Sequence, residues 1–256
     1  RIEGYQPYDS TYQEVDPTDG EGAILSLTIF KDDTLNETQI IATRAVKKFE
    51  YTAVAGQTNF VGLDNNNRTM DLPFADDVVV YKNGTKLYQI TDYTVSGSNI
   101  TLVSGATAGD TIEVDPSEYN FYRYTYTGWS KYSTGVRRKM VMTLGDRVTQ
   151  IRHVSFNFGN GNHVCFVDGA NNAILFDGSD WFELSTSGAG TEADPGGALC
   201  LEAPSLVDVF ENHLFLGGYA LAEATIAHSA PLLPFDWTAA SGAGQITVGF
   251  DVVQFK

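Results

Sequence analysis

The chain has 256 residues, 43% of them hydrophobic, with 25 Gly, 13 Tyr and 15 Phe against only 3 Met. That length suits one large or two modest domains, and the Gly- and aromatic-rich balance points to an all-β fold. A net charge of −16 argues against a sequence-reading nucleic-acid surface, which needs a basic patch. No apolar run approaches the ~20 residues of a membrane-spanning helix. Cys165 and Cys200 are too few for a disulfide scaffold; they could pair, but buried free thiols are the expectation.

Taken in order, residues 1–22 are rich in Tyr, Pro, Asp and Gly and read as a loop or extended arm. GAILSLTIF follows as a buried strand. Thr34 to Lys48 could form a short amphipathic helix, but TQIIATRAV in a β neighbourhood favours a strand. Residues 50–115 then form a self-contained stretch. DVVVYK and TKLYQI are joined at Asn83-Gly84, the residue pair that a type I′ hairpin turn demands because both positions need φ > 0. DYTVSG, NITLVS and TIEV complete a small β-sandwich of about 65 residues, near the lower size for an independent core. Pro116 closes it.

Beyond the insert, YNFYRYTYTGWSKYS alternates in strand fashion, with Tyr122, Tyr124 and Tyr126 on one face. TGVRRKMVMTLGDRV continues in the same mode. HVSFNF, NHVCFVD and AILFDG are three strands in quick succession, followed by a long polar loop with a Pro-Gly-Gly centre. LVDVFENHLFLGGYALAEATIAHS repeats the short-strand pattern before PLLPFDW. Trp129, Trp181 and Trp237 lie 52 and 56 residues apart, each after two or three strand-like runs. Such spacing, stretched by loops, fits the four-stranded blades of a β-propeller; three core tryptophans of an irregular sandwich are the alternative. The expected organisation is a partial propeller over 1–49 and 116–256, interrupted within its first blade by the 50–115 sandwich. The chain starts at Arg1 and ends on a strand-like run, so a fragment of a longer protein is expected.

Catalytic signatures are missing from the sequence: no GxSxG, HExxH, P-loop or GxGxxG after a strand. His153, His163 and His213 sit in strand runs and read as packed or solvated residues, and His228-Ser229 adjacency is not the spatial relation nucleophile activation needs. Most aspartates, Asp177 and Asp180 among them, stand in turns beside Gly or Pro. Asp64-Asn65-Asn66-Asn67-Arg68 starts like a calcium loop but places Arg68 where an oxygen ligand belongs. Arg137-Arg138-Lys139 reads as a solvated turn or an ion-pair site. No catalytic residue, cofactor or metal is expected. The residues singled out, Asn83, Gly84, Trp129, Trp181 and Trp237, are structural.

Two stretches carry a family resemblance. The insert is similar to small β-modules of phage tail fibres and other tail proteins, through Val80, Tyr81, Asn83, Gly84 and Leu87, then Asp92, Tyr93 and Thr94, then Gly109, Asp110, Ile112, Glu113 and Val114. The flanks, through GYQPYD, FVDGANNAILFDGSDW and VFENHLFLGG…IAHSAPLLPFDWTAASGAGQITVG, resemble β-propeller tail nozzle or tail hub proteins of short-tailed phages, with His213 where a basic residue is common. The resemblance implies a non-enzymatic structural virion protein of the tail. It would form a homo-oligomeric ring, expected to be sixfold, around a channel that genomic DNA passes without specific binding, and would dock adaptor or fibre proteins. Two rivals are a carbohydrate-binding tail protein, whose Tyr81, Tyr88 and Tyr93 would lie on an open face, and a propeller hydrolase with carboxylates at its mouth.

Overall fold

The computed structural model describes residues 22–32, 37–125, 128–132, 138–140, 142–143, 146–147 and 150–253; the opening arm, Tyr126 and Arg137 lie outside them. The described residues contain no α-helix. Strands β1 (Ile24–Asp32) and β2 (Glu37–Ala45) form a hairpin. The chain then makes β3 (Phe49–Thr52), β4 (Asn59–Val61), β5 (Val79–Lys82), β6 (Thr85–Lys86), β7 (Tyr93–Ser96), β8 (Asn99–Leu102) and β9 (Thr111–Asp115). It returns through β10 (Glu118–Thr125), β11 (Gly128–Tyr132) and β12 (Arg138–Lys139), followed by a two-stranded β13 (Met142–Thr143) and β14 (Asp146–Arg147). Two meanders end it: β15 (Arg152–Asn157), β16 (Asn162–Val167), β17 (Ile174–Phe176), β18 (Trp181–Glu183), then β19 (Leu206–Phe210), β20 (His213–Tyr219), β21 (Ala222–His228), β22 (Gly244–Thr247).

Three antiparallel sheets follow one plan. The first runs β1-β2-β10-β11, with β12 also pairing β10; the second runs β15-β16-β17-β18 and the third β19-β20-β21-β22. Their first strands are neighbours, β1 beside β15 and β15 beside β19. The sheets therefore stack face to face, which explains the sequence of the middle one. Along β16, Val164 and Phe166 join a core shared with Phe30, Ile41, Tyr119 and Phe121 of the first sheet. The alternate residues Cys165 and Val167 join a core shared with Leu214, Leu216 and Trp237 on the third-sheet side. A strand buried on both faces has no polar alternation to offer, so NHVCFV reads as a nearly unbroken apolar run.

Strands β3–β9 fall between β2 and β10 in the chain but add to none of these sheets. They pair among themselves as β3-β9-β5-β6 and β4-β8-β7. Their core holds only residues 49–114, including Phe49, Tyr51, Phe60, Val80, Tyr93, Ile100, Ile112 and Val114. Strand alternation supplies it: on β9, Ile112 and Val114 are buried, while Thr111 is exposed and Glu113 half-buried. The stalk is short and tied. Val46 N–H donates to Glu118 O at 2.8 Å, Ser117 Oγ to Asp77 O at 2.6 Å, and Lys139 Nζ lies 2.6 Å from Asp77 Oδ2.

The stretch 34–48, ambiguous between helix and strand in the sequence, supplies β2, which pairs with both β1 and β10. YNFYRYTYTGWSKYS, which alternates like one strand, holds two, β10 and β11, paired back on each other.

Candidate functional site

The Asn83-Gly84 pair forms the two-residue turn between β5 and β6, with φ of 51° and 76°. A Cβ on Gly84 would meet nothing, so glycine is there for its backbone conformation alone. The Asn83 side chain ties the turn to β9, donating to Asp110 Oδ1 and accepting from Thr111 N–H, both at 2.8 Å. Hydrogen bonds from Asn83 and Lys82 hold the Asp110 carboxyl down to about 2.

The three tryptophans are not equivalent. Trp129 and Trp181 stand on the fourth strands of the first and second sheets. Trp129 packs on Tyr124 with ring centroids 5.3 Å apart, and Trp181 packs on Phe121 and Phe176 at 4.5 Å each. Trp237 lies in the loop between β21 and β22 and is fully buried, its Nε1–H donating to Pro234 O at 3.0 Å. Its backbone N–H donates to Gly196 O and its carbonyl accepts from Leu199 N–H. The loop with the Pro-Gly-Gly centre thus packs tightly: Gly196 sits at φ 131°, where a Cβ would strike the Ser185 carbonyl. The similar spacing of 52 and 56 residues therefore joins two strand positions and one loop position, which are not equivalent.

Arg138 is among the most buried side chains, at 1% exposure, so of its two sequence readings the solvated turn is replaced by the ion pair. It reaches from β12 to the β16–β17 loop. Its Nε donates to Tyr119 Oη at 3.0 Å and its Nη2 to Asn172 O at 2.8 Å. Tyr119 in turn donates to Asp168 Oδ2 at 2.5 Å, and the Arg138–Asp168 ion pair spans 3.7 Å. Burial keeps the Tyr119 phenol far above its ordinary value, against the pull of the Arg138 charge. The network locks the first sheet to the second.

The calcium-like loop is a second clamp. Arg68 pairs with Asp64 at 2.7 Å and donates to the carbonyls of Lys47 and Lys48 in the stalk. Burial works against the Asp64 charge, but hydrogen bonds from the Arg68 backbone and side chain outweigh it and hold the carboxyl below its usual range. The guanidinium occupies the place a cation would take.

The histidines separate by environment. His153 is exposed on β15. Nδ1 of His213 and of His228 lie 2.6 and 3.1 Å from the same carbonyl, Ser229 O. A carbonyl only accepts, so both rings carry their proton on Nδ1. Ser229 Oγ is engaged with Leu214 N–H and Ala230 O. His163 is 6% exposed, stacked on Phe156 and met edge-on by Phe235, each at 5.5 Å between centroids. Burial depresses its basicity, while Asp177 and Glu192 act the other way.

These two carboxylates and His163 share a cleft of about 490 Å³ that the sequence did not reveal. It lies where the end of β1, the β15–β16 and β17–β18 turns, the 188–194 loop and the 233–235 segment meet. Asp177 does close a turn, its Oδ1 accepting the N–H of Ser179 and of Asp180 at 2.7 Å, but that turn forms one wall of the cleft. Glu192 is exposed and takes part in no hydrogen bond or ion pair among the described residues. Sheet stacking brings these distant positions together, and no local pattern marks it. Among the described residues no three His, Cys, Asp or Glu side chains gather closely enough to hold a metal ion. Cys165 and Cys200 are both free and buried, with burial raising the Cys200 thiol to about 12.

No family model matches the chain, and no curated protein matches it. Among solved structures, it is similar to a mutant of the NanB sialidase from Streptococcus pneumoniae, with 14% identity and a TM-score of 0.33 over 91% of this chain. The chain spans 40% of that protein's length, and likeness at this level carries nothing about activity.

Proposed function

We propose that the protein is a non-enzymatic structural component of a phage tail, a β-propeller part acting in a homo-oligomeric ring, with the β3–β9 sandwich as its docking module. The observation that carries the reading is the architecture of the first sheet. A five-stranded sheet and two four-stranded meanders stack with their first strands adjacent, as successive propeller blades would, and a module with its own core leaves from between β2 and β10. Of the insert residues that resemble tail modules, Val80, Tyr93, Ile112 and Val114 lie in that module's core and Asn83-Gly84 at its turn.

The short, hydrogen-bonded stalk and the Arg68 clamp support a rigid bracket rather than a tethered domain. A bracket transmits load and fixes the angle at which a neighbouring tail protein or fibre would sit. The net charge of −16 suits a channel wall past which phosphates slide instead of binding. A glycan platform on the insert fares worse, because Tyr93 is 2% exposed and donates to Val78 O at 2.7 Å. Tyr81 is half-buried with Lys48 Nζ over its ring at 3.9 Å, which leaves Tyr88 as the exposed member of the three. Imaging of particles carrying a tagged copy tests the proposal: density in a ring at the tail supports it, and a chain missing from purified particles refutes it.

A further inference from the structure

The cleft between the three sheets has the size and chemistry of a ligand site, and its volume of about 490 Å³ falls within the ~300–1,000 Å³ of small-molecule pockets. Leu233, Pro234 and Phe235 give its lining an apolar stretch; Leu233 is 46% exposed. The lining also carries acceptors: the Asp177 carboxylate, whose Oδ2 is not used by the turn, the Glu192 carboxylate, and His163, which meets Phe235 edge-on. The His163 Nδ1 lies 3.1 Å from Gly161 O. That carbonyl fixes the proton on Nδ1 and leaves Nε2 as a lone-pair acceptor. His163 is held there by burial and by two aromatic contacts, so the acceptor is fixed in place rather than mobile.

Among the described residues no lysine or arginine lines the cleft. Two carboxylates without a cationic partner repel a phosphate, sulfate or carboxylate ligand. A ligand that fits must donate several hydrogen bonds and present an apolar face to Phe235. Sugars do both, since each hydroxyl donates to an acceptor while the axial C–H groups of one ring face lie flat on an aromatic ring. We propose that this cleft binds a neutral saccharide, one or two rings long, with its hydroxyls on Asp177, Glu192 and His163 and its apolar face on Phe235. The site is independent of the tail reading, and lies in the stacked sheets rather than on the insert.

The test is binding of the purified protein to a glycan array carrying neutral, amino, uronate and sialylated oligosaccharides, followed by solution titration of the best hit and of tetramethylammonium. Saturable binding of a neutral oligosaccharide is expected, with uronate and sialylated counterparts at least tenfold weaker. Glu192→Gln and Phe235→Ala should each weaken it at least tenfold. The exposed Glu192 carries no structural contact, so E192Q keeps the fold. The proposal is overturned if no neutral glycan binds, if anionic glycans bind as well, if E192Q binds like the parent, or if tetramethylammonium alone competes for the site.

Discussion

Replacing Asp168 by Ala tests the buried network between the first two sheets most sharply. Arg138 is 1% exposed and Asp168 is 5% exposed. Without the carboxylate, the guanidinium stays buried with the Tyr119 hydroxyl and the Asn172 carbonyl as its hydrogen-bond partners and only the Glu183 charge, beyond ion-pair distance, still facing it; its Nη1 already has no partner among the described residues. Stranding a buried charge costs about 3–5 kcal/mol. The same substitution strips the acceptor from the Ala170 and Asn171 N–H groups, both at 2.8 Å, which lies within that range. Arg138→Met is different. It leaves Asp168 with the Tyr119 hydroxyl, those two N–H donors and the Asn171 side-chain amide. Losing one charge-assisted partner while four donors remain costs about 1.5–3 kcal/mol. Chemical denaturation of both variants should therefore rank D168A as the less stable, by roughly 1 kcal/mol or more. Equal stabilities, or R138M as the worse, would refute the assignment of Arg138 as the group that depends on its partner.

The remaining predictions concern the insert and the histidine. Deleting 51–114 and closing the gap with a short linker should leave a folded, soluble protein, since no core residue of the three sheets lies in the insert; an unfolded product by circular dichroism would mean one shared core. Gly84→Val should lower stability by about 1–2 kcal/mol, because a β-branched residue resists a φ of 76° and no clash or void adds to it; an unchanged melting temperature would rule out the I′ turn. His163 has its folded pKa below the ordinary value, so the unfolded chain takes up the proton first. Stability should be full above about pH 6.5 and decline as pH falls toward the lowered folded value. A His163→Phe variant should flatten that decline, and an identical pH profile would sink the argument. Asp110, held at about 2, contributes stability that is fully present at neutral pH and is lost only as pH falls below about 3.9 toward the folded value.

Local chemistry was legible where a residue type answers a local demand. Asn83-Gly84 announced its turn because two adjacent positive φ angles admit few other pairs. Strands such as β10 announced themselves through alternation, whereas GAILSLTIF, read as a buried strand, forms β1 with Ile24, Leu27 and Ile29 exposed. What the sequence concealed depends on contacts across sheets. Tyr119, Arg138 and Asp168 stand 19 and 30 residues apart on three different elements, and only stacking joins them. Asp177 looked like a turn aspartate and is one; that its turn also lines a cleft with Glu192 and His163 depends on another loop and on β16 arriving beside it. Trp237 misled by interval, since a loop of variable length can place a tryptophan at any spacing.

The central claim is that the chain works as part of a tail ring with its insert as a docking bracket. Electron microscopy of assembled particles, with the 51–114 deletion alongside, tests it most directly. The account predicts ring density fitting the three stacked sheets, with the sandwich touching a neighbouring tail protein and that neighbour lost in the deletion. Particles lacking the chain, or a neighbour that stays in place without the sandwich, would contradict it.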